Sequence, residues 1–192
     1  MFFELLEYLF GEIKMLIYKL FYLGNLKYKL MGKYSDKAQI RLLKKGKLVL
    51  TNNNLLRSGV KIRVQNGGIV TIGENTGLNY NCIINSHDRI TIGKNTTFGQ
   101  NVKLYDHDHV YKKQGLLRDN GFVTEPIEIG DNVWIGAGVQ VMPGVKIGSN
   151  VVIGGGSVVV RDIPDNSVAV GNPCRVVRAI TDEDKKRCWD RN

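Results

Sequence analysis

A parallel β-solenoid, in which six-residue units form the flat sides of a triangular coil, is the fold that this 192-residue sequence predicts. Three observations carry it. From Ile129 to Val159 an aliphatic residue returns at every sixth position: Ile129, Ile135, Val141, Ile147, Ile153 and Val159. The motif IEIG ends at Gly130 and VKIG at Gly148, 18 residues later, which is three units and one full turn. Small or polar residues follow each inward one, as in IGDNV, IGAGV, IGSNV and IGGGS, and these types tolerate the backbone angles of sharp corners. A helix repeats every 3.6 residues and a half-buried strand every two, so neither explains a strict period of six.

The first segment stands apart from this lattice. Residues 1–31 place apolar side chains at helical spacing (Ile13, Leu16, Ile17, Leu20), with glycine breaks at Gly11 and Gly24. Acidic residues interrupt its first half at Glu4, Glu7 and Glu12, and lysines follow at Lys14, Lys19, Lys27, Lys29 and Lys33. A signal peptide needs a basic start and an uninterrupted apolar run, and a membrane-spanning helix needs about 20 mainly apolar residues; the segment has neither. Two readings stay open. The helices pack against the solenoid and hide an edge that would otherwise recruit strands. Alternatively they form a peripheral membrane anchor, with Phe2, Phe3, Phe10, Phe21 and Tyr22 dipping into a bilayer whose anionic head groups attract the lysines. The expected boundaries are a helical segment at 1–35, the solenoid at 36–178 and a helical tail at 179–192.

The next elements repeat the lattice with insertions. VTIG ends at Gly73 and ITIG at Gly93, a turn of 20 residues, two more than the ideal. Ile92, Phe98 and Leu104 then keep the period, and the next inward residue is Ile129, a step of 25. About 19 residues therefore leave the shaft, and insertions of this kind lie on the surface and often carry function. The excursion opens with YDHDHVY, and the expected active-site loop is 105–126.

Composition narrows the partners. The net charge of +9 and a pI near 9.5 favour anionic ones, but no basic run with interleaved aromatics points to nucleic acid. Phosphate-bearing cofactors and anionic lipid surfaces fit better. Cys82, Cys174 and Cys188 make an odd set without paired spacing, which argues against a disulfide framework or a zinc site and for a reducing, cytoplasmic setting.

All three histidines, His87, His107 and His109, lie at or beside insertions in the lattice. Histidine is the side chain suited to proton transfer near neutral pH. Asp106 and Asp108 flank the pair at 107 and 109, and a carboxylate on one ring nitrogen leaves the other free as a base.

The stretches NYNCIINSHDRITIG, NVKLYDHDHVY, IGDNVWIGAGVQVMPGV and DIPDNSVAVGNPCRVVR resemble the hexapeptide-repeat acetyltransferases of the maltose and galactoside O-acetyltransferase group, most closely the branch of capsule, lipopolysaccharide and exopolysaccharide biosynthesis. The resemblance spans about residues 70–180. It implies an all-β, left-handed parallel β-helix that forms a homotrimer, with acetyl-CoA bound between subunits, no metal, and a sugar or glycan acceptor. It implies His109 as general base, with His107 as the fallback, and acceptor contacts at Asn81, Asn85 and His87. For the cofactor it implies Trp134, Ala137, Gly155, Arg161, Arg175 and Arg178. The implied setting is the bacterial cytoplasm, with possible contact at the inner face of the membrane. Two departures stand out: residues 1–35 do not resemble the helical segment of the maltose-type enzymes, and the SHD at 86–88 differs from many relatives. Two rivals share the shaft: drug-inactivating acetyltransferases of the streptogramin and chloramphenicol type, and γ-type carbonic anhydrases, whose three metal-binding histidines are spaced differently.

Overall fold

The computed structural model describes residues 2–29, 32–111, 115–116, 119–181 and 183–184. Three parallel sheets wrap one apolar shaft. The first sheet contains Leu26–Lys27, Lys47–Leu50, Ile69–Ile72, Arg89–Ile92, Ile127–Ile129 and Lys146–Ile147. The second starts at Lys33–Tyr34, passes through Thr97–Phe98, Trp134–Ile135 and Val152–Ile153, and ends in an antiparallel hairpin of Ser167–Gly171 with Cys174–Ala179. The third contains Gln39–Leu42, Lys61–Val64, Ile83–Ser86, Lys103–Tyr105, Gln140–Val141 and Val158–Val159. Neighbouring strands come from successive coils, so residues one turn apart in sequence are stacked in space.

The period of six has its expected cause. Ile129, Ile135, Val141, Ile147, Ile153 and Val159 are all buried, each at the inward position of a short strand whose neighbour faces outward. Tyr34 and Phe98 are the bulkiest fully buried side chains. At the corner between the first and second sheets, Asn53, Asn75, Asn95, Asn132, Asn150 and Asn166 all adopt positive φ of 51–55°. Asparagine tolerates that conformation better than most residues. The side chains also join into ladders, with Asn53 Nδ2 donating to Asn75 Oδ1 (2.9 Å), and Asn132 Nδ2 donating to Asn150 Oδ1 (2.8 Å).

The coils are unequal. In the first sheet Leu26, Leu48, Val70, Ile90 and Ile127 occupy one register position, at intervals of 22, 22, 20 and 37 residues. Ile129, Ile147 and Ile163 follow at 18 and 16. Early coils are longer because their first- and third-sheet strands have four residues where later ones have two. The interval of 37 contains the excursion.

The N-terminal end differs from the sequence expectation in two ways. A single helix runs Phe2–Phe21 straight through Gly11, and only Gly24, with φ of 76°, lies at a chain reversal. Gly11 is a contact point: a Cβ there would stand 1.6 Å from the carbonyl oxygen of Tyr34. The solenoid also begins before residue 36, since Leu26 already pairs in parallel with Leu48. The helix covers this first coil, burying Met15 and donating from Lys14 Nζ to the carbonyls of Asp36 (2.7 Å) and Ala38 (2.8 Å). Most of the expected C-terminal helix, with Cys188, lies outside the described residues.

Candidate active site

The corner from the third sheet back to the first stacks Gln65 and Asn66, then His87, then the start of the excursion. Asp106 is its keystone. Fully buried, its carboxylate accepts from Ser86 Oγ (2.6 Å), the backbone N–H groups of His87 (2.8 Å) and Asp88 (2.9 Å), and meets His107 Nδ1 at 3.1 Å. Buried charge is tolerated when its lone pairs are all engaged. The excursion then forms a small antiparallel ribbon, His107–His109 against Phe122–Thr124.

That ribbon gathers all three histidines around Phe122. His87 and His107 stack at 3.7 Å between ring centroids with 11° between planes. Phe122 meets His87 and His107 edge-on at 4.5 Å and 5.3 Å, and His109 at a 45° tilt at 4.6 Å. Burial pushes the His87 imidazole down to about 4; neighbouring His107, Arg63 and Lys44 act in the same sense and Asp106 opposes them. His109 is exposed at the open end of the ribbon.

The contacts differ from the expected ones. Asp106 orients His107, not His109. Asp108 accepts from the backbone N–H of His109 (3.0 Å), so among the described residues no carboxylate sits on the His109 ring. In an extended strand successive side chains face opposite sides, so Asp108 is turned away from the face that carries His107 and His109. His87 is 7% exposed and its ring nitrogens face the side-chain amides of Gln65 and Asn66, so its ring is not open to an acceptor. Asn85 is better placed: it lies on the third sheet in register with Arg63 and Tyr105, and its Oδ1 is buried without a partner. Asn81 sits exposed at the preceding corner, from the second sheet to the third, with φ of 58°.

The residues expected at the cofactor, Arg161 apart, lie elsewhere on the triangle. Trp134, 59% exposed, is on the second sheet between Thr97 and Val152, in a groove of about 680 Å³ also lined by Asn132, Asn150 and Ile180. Ala137 and Gly155 are stacked at the corner from the second to the third sheet, with Gly156 N–H donating to the Ala137 carbonyl (2.8 Å). Arg175 and Arg178 project from the terminal hairpin, and Arg161 occupies the histidine corner two coils further on. Arg178 pairs with Asp184 at 2.6 Å, and the Thr181 N–H together with that guanidinium holds Asp184 down to about 2. Arg161 and Arg175 leave exposed positive charge for phosphates, which suits a coenzyme bearing a pyrophosphate.

The histidine corner and the Trp134 face are opposite each other across the shaft. Cys82 and Cys174 are buried thiols, and burial lifts Cys82 to about 11, away from the thiolate form that a nucleophile needs. Among the described residues no three His, Cys, Asp or Glu side chains converge as a metal site.

Sequence reasoning did not single out Phe122, Gln65, Asn66, Arg63 or Tyr105. All but Phe122 had a signal, because each lies about one coil from an identified residue. Phe122 falls in the excursion, where no repeat gives its partner.

Residues 126–161 match the bacterial transferase hexapeptide (six repeats) family. The chain is 48% identical over 120 residues to galactoside O-acetyltransferase of Escherichia coli, covering 62% of this chain and 58% of that protein. It thus spans about 60% of the length of the curated relatives it matches. A solved galactoside acetyltransferase in complex with coenzyme A superposes with a TM-score of 0.64 at 39% identity, over 77% of this chain and 67% of that one. A maltose O-acetyltransferase from Clostridium difficile gives 0.62 at 36% identity, over 90% and 81%.

Proposed function

The chain belongs to the hexapeptide-repeat transferases that include the galactoside and maltose O-acetyltransferases, and from that membership we propose that it transfers acetyl from acetyl-CoA to a hydroxyl of a sugar or glycan precursor. The observation that carries the reading is the histidine corner: a fixed aromatic and imidazole platform that ends in an exposed imidazole, His109, at the mouth of the loop.

His109 acts as general base. It takes the hydroxyl proton as the acceptor oxygen attacks the thioester carbonyl, and the tetrahedral intermediate collapses by expelling the coenzyme thiolate. The imidazolium returns its proton to that sulfur. His107, held by Asp106 and stacked on His87, fixes the ribbon that presents His109. Asn85 and Asn81 contact the acceptor; the orphan Oδ1 of Asn85 accepts from one of its hydroxyls.

Acetyl-CoA lies between copies of the chain. Trp134, Ala137 and Gly155 of one copy line its pantetheine arm, with Arg175 and Arg178 toward its phosphates, while the histidine corner, with Arg161 two coils further on, comes from the next copy. The placement of Trp134 on the sheet across the shaft from the histidine corner supports this arrangement, and a homotrimer closes it with three equivalent sites. The chemistry fits a role in polysaccharide assembly in the cytoplasm, where acetyl-CoA and activated sugars are made.

The test is thiol release from acetyl-CoA across free, nucleotide-linked and lipid-linked sugars. Removing a general base typically lowers rate by about 10²- to 10⁴-fold. His109→Ala is expected to fall in that range. A variant that keeps near-normal transfer would refute the assignment and move the base to His107.

A further inference from the structure

The helix Phe2–Phe21 turns Met15 and Tyr18 toward the solenoid together with most of its charged side chains. Lys14 bonds two solenoid carbonyls, Glu7 meets Ser35 Oγ, the Glu12 carboxylate is buried, and Lys19 lies over the Tyr28 ring. With Glu4, one helical turn before Glu7 and two before Gly11, these are all the charged residues of the helix. At about 100° per residue, the remaining arc of about 160° carries no charge at all. Leu5, Leu9, Ile13, Leu16, Leu20 and Phe21 stand on it, 47–80% exposed. A helix that only covered a core would show the opposite pattern.

The arc is about 30 Å long, and no described helix is long and apolar enough to cross a membrane, so it suits a surface parallel to the helix axis. Charge names that surface. Residues 13–50 hold ten lysines and arginines against one acid, Asp36, and Lys27, Lys29, Lys33 and Lys37 are exposed beside the helix. A second copy would set these lysines against their own counterparts at this face, whereas anionic lipid head groups are attracted to them.

We propose that the helix lies in the boundary between head groups and acyl chains of an anionic bilayer, its leucine face in the hydrocarbon and the flanking lysines on the phosphates. This does not depend on the acetyl-transfer reading.

The experiment is flotation of the full chain with vesicles of phosphatidylcholine alone or with about 30% phosphatidylglycerol, beside the variant Leu9→Glu/Ile13→Glu/Leu16→Glu and the milder Leu9→Ser/Leu16→Ser. Circular dichroism and light scattering without lipid accompany both. The expected result is binding to the anionic vesicles that drops at least tenfold in the glutamate variant and partly in the serine variant, that weakens with salt, and that leaves fold and oligomeric mass unchanged. No binding to anionic vesicles, or equal binding by folded variants, would overturn the proposal. So would a change of oligomeric mass in either variant, which would assign the face to a second copy.

Discussion

Acidification from about pH 7.5 to about pH 5 is expected to destabilise the fold by about 2 kcal/mol through His87 alone. The imidazole is buried between Gln65, Asn66, His107 and Phe122, with Asp106 bonded to its own backbone N–H. Burial holds it down to about 4, against 6.5 for a free imidazole. Between those values the unfolded chain binds a proton that the folded chain refuses, so stability falls as pH falls. The full difference approaches about 3 kcal/mol below pH 4, and some two thirds of it is lost by pH 5. Urea unfolding at fixed protein concentration reads it directly. His87→Gln, which cannot titrate, should show a decrement between the two pH values that is smaller by about 2 kcal/mol. Equal decrements in the two proteins would refute the reasoning, as would imidazole NMR showing His87 protonated at pH 5.

Other perturbations test other parts of the fold. Asp106→Ala leaves Ser86, His107 and two backbone N–H groups without their acceptor and should cost about 3 kcal/mol or more in chemical denaturation. Asn150→Ala, at φ of 55° in the asparagine ladder, should cost about 1–2 kcal/mol, and Asn150→Gly clearly less, because glycine removes only the ladder bonds. Glu12 has its carboxyl raised by burial, so its ionised form opposes folding near neutral pH and the penalty fades as pH falls. Glu12→Gln should therefore raise the melting temperature near neutral pH and leave it unchanged near pH 4. Trp134→Ala should raise KM for acetyl-CoA by about tenfold with little change in KM for the acceptor, in steady-state assays varying each substrate.

The shaft was legible because inward aliphatic residues at a fixed spacing state their own geometry: Ile129 through Val159 needed no partner to be read. The asparagine corners were legible for the same local reason. Gly11 was misread because its cause is 23 residues away, in the carbonyl of Tyr34, and a glycine in a helical pattern looks the same whether it breaks the helix or lets another backbone approach. The start at Leu26 was hidden because a two-residue strand has no periodicity of its own. At the site, the clustering of the three histidines beside the excursion was visible, but its division of labour was not. Which carboxylate faces which ring depends on strand alternation in the ribbon, and His87 looks polar and free until the coil above places two amides against it.

The unequal coils have a consequence for how such a chain can grow or be re-engineered. A uniform solenoid can be lengthened anywhere by copying one turn, but here the turns differ in circumference, from 22 residues for the first two to 16 at the hairpin. A duplicated unit of 18 residues keeps its corners above corners only beside the turn from Gly130 to Gly148. Inserted between Gly73 and Gly93 it would keep its inward faces, since two residues preserve strand alternation, yet shift its corners off the asparagine column. The taper thus works as an addressing system, fixing how many coils separate the histidine corner from the helical end.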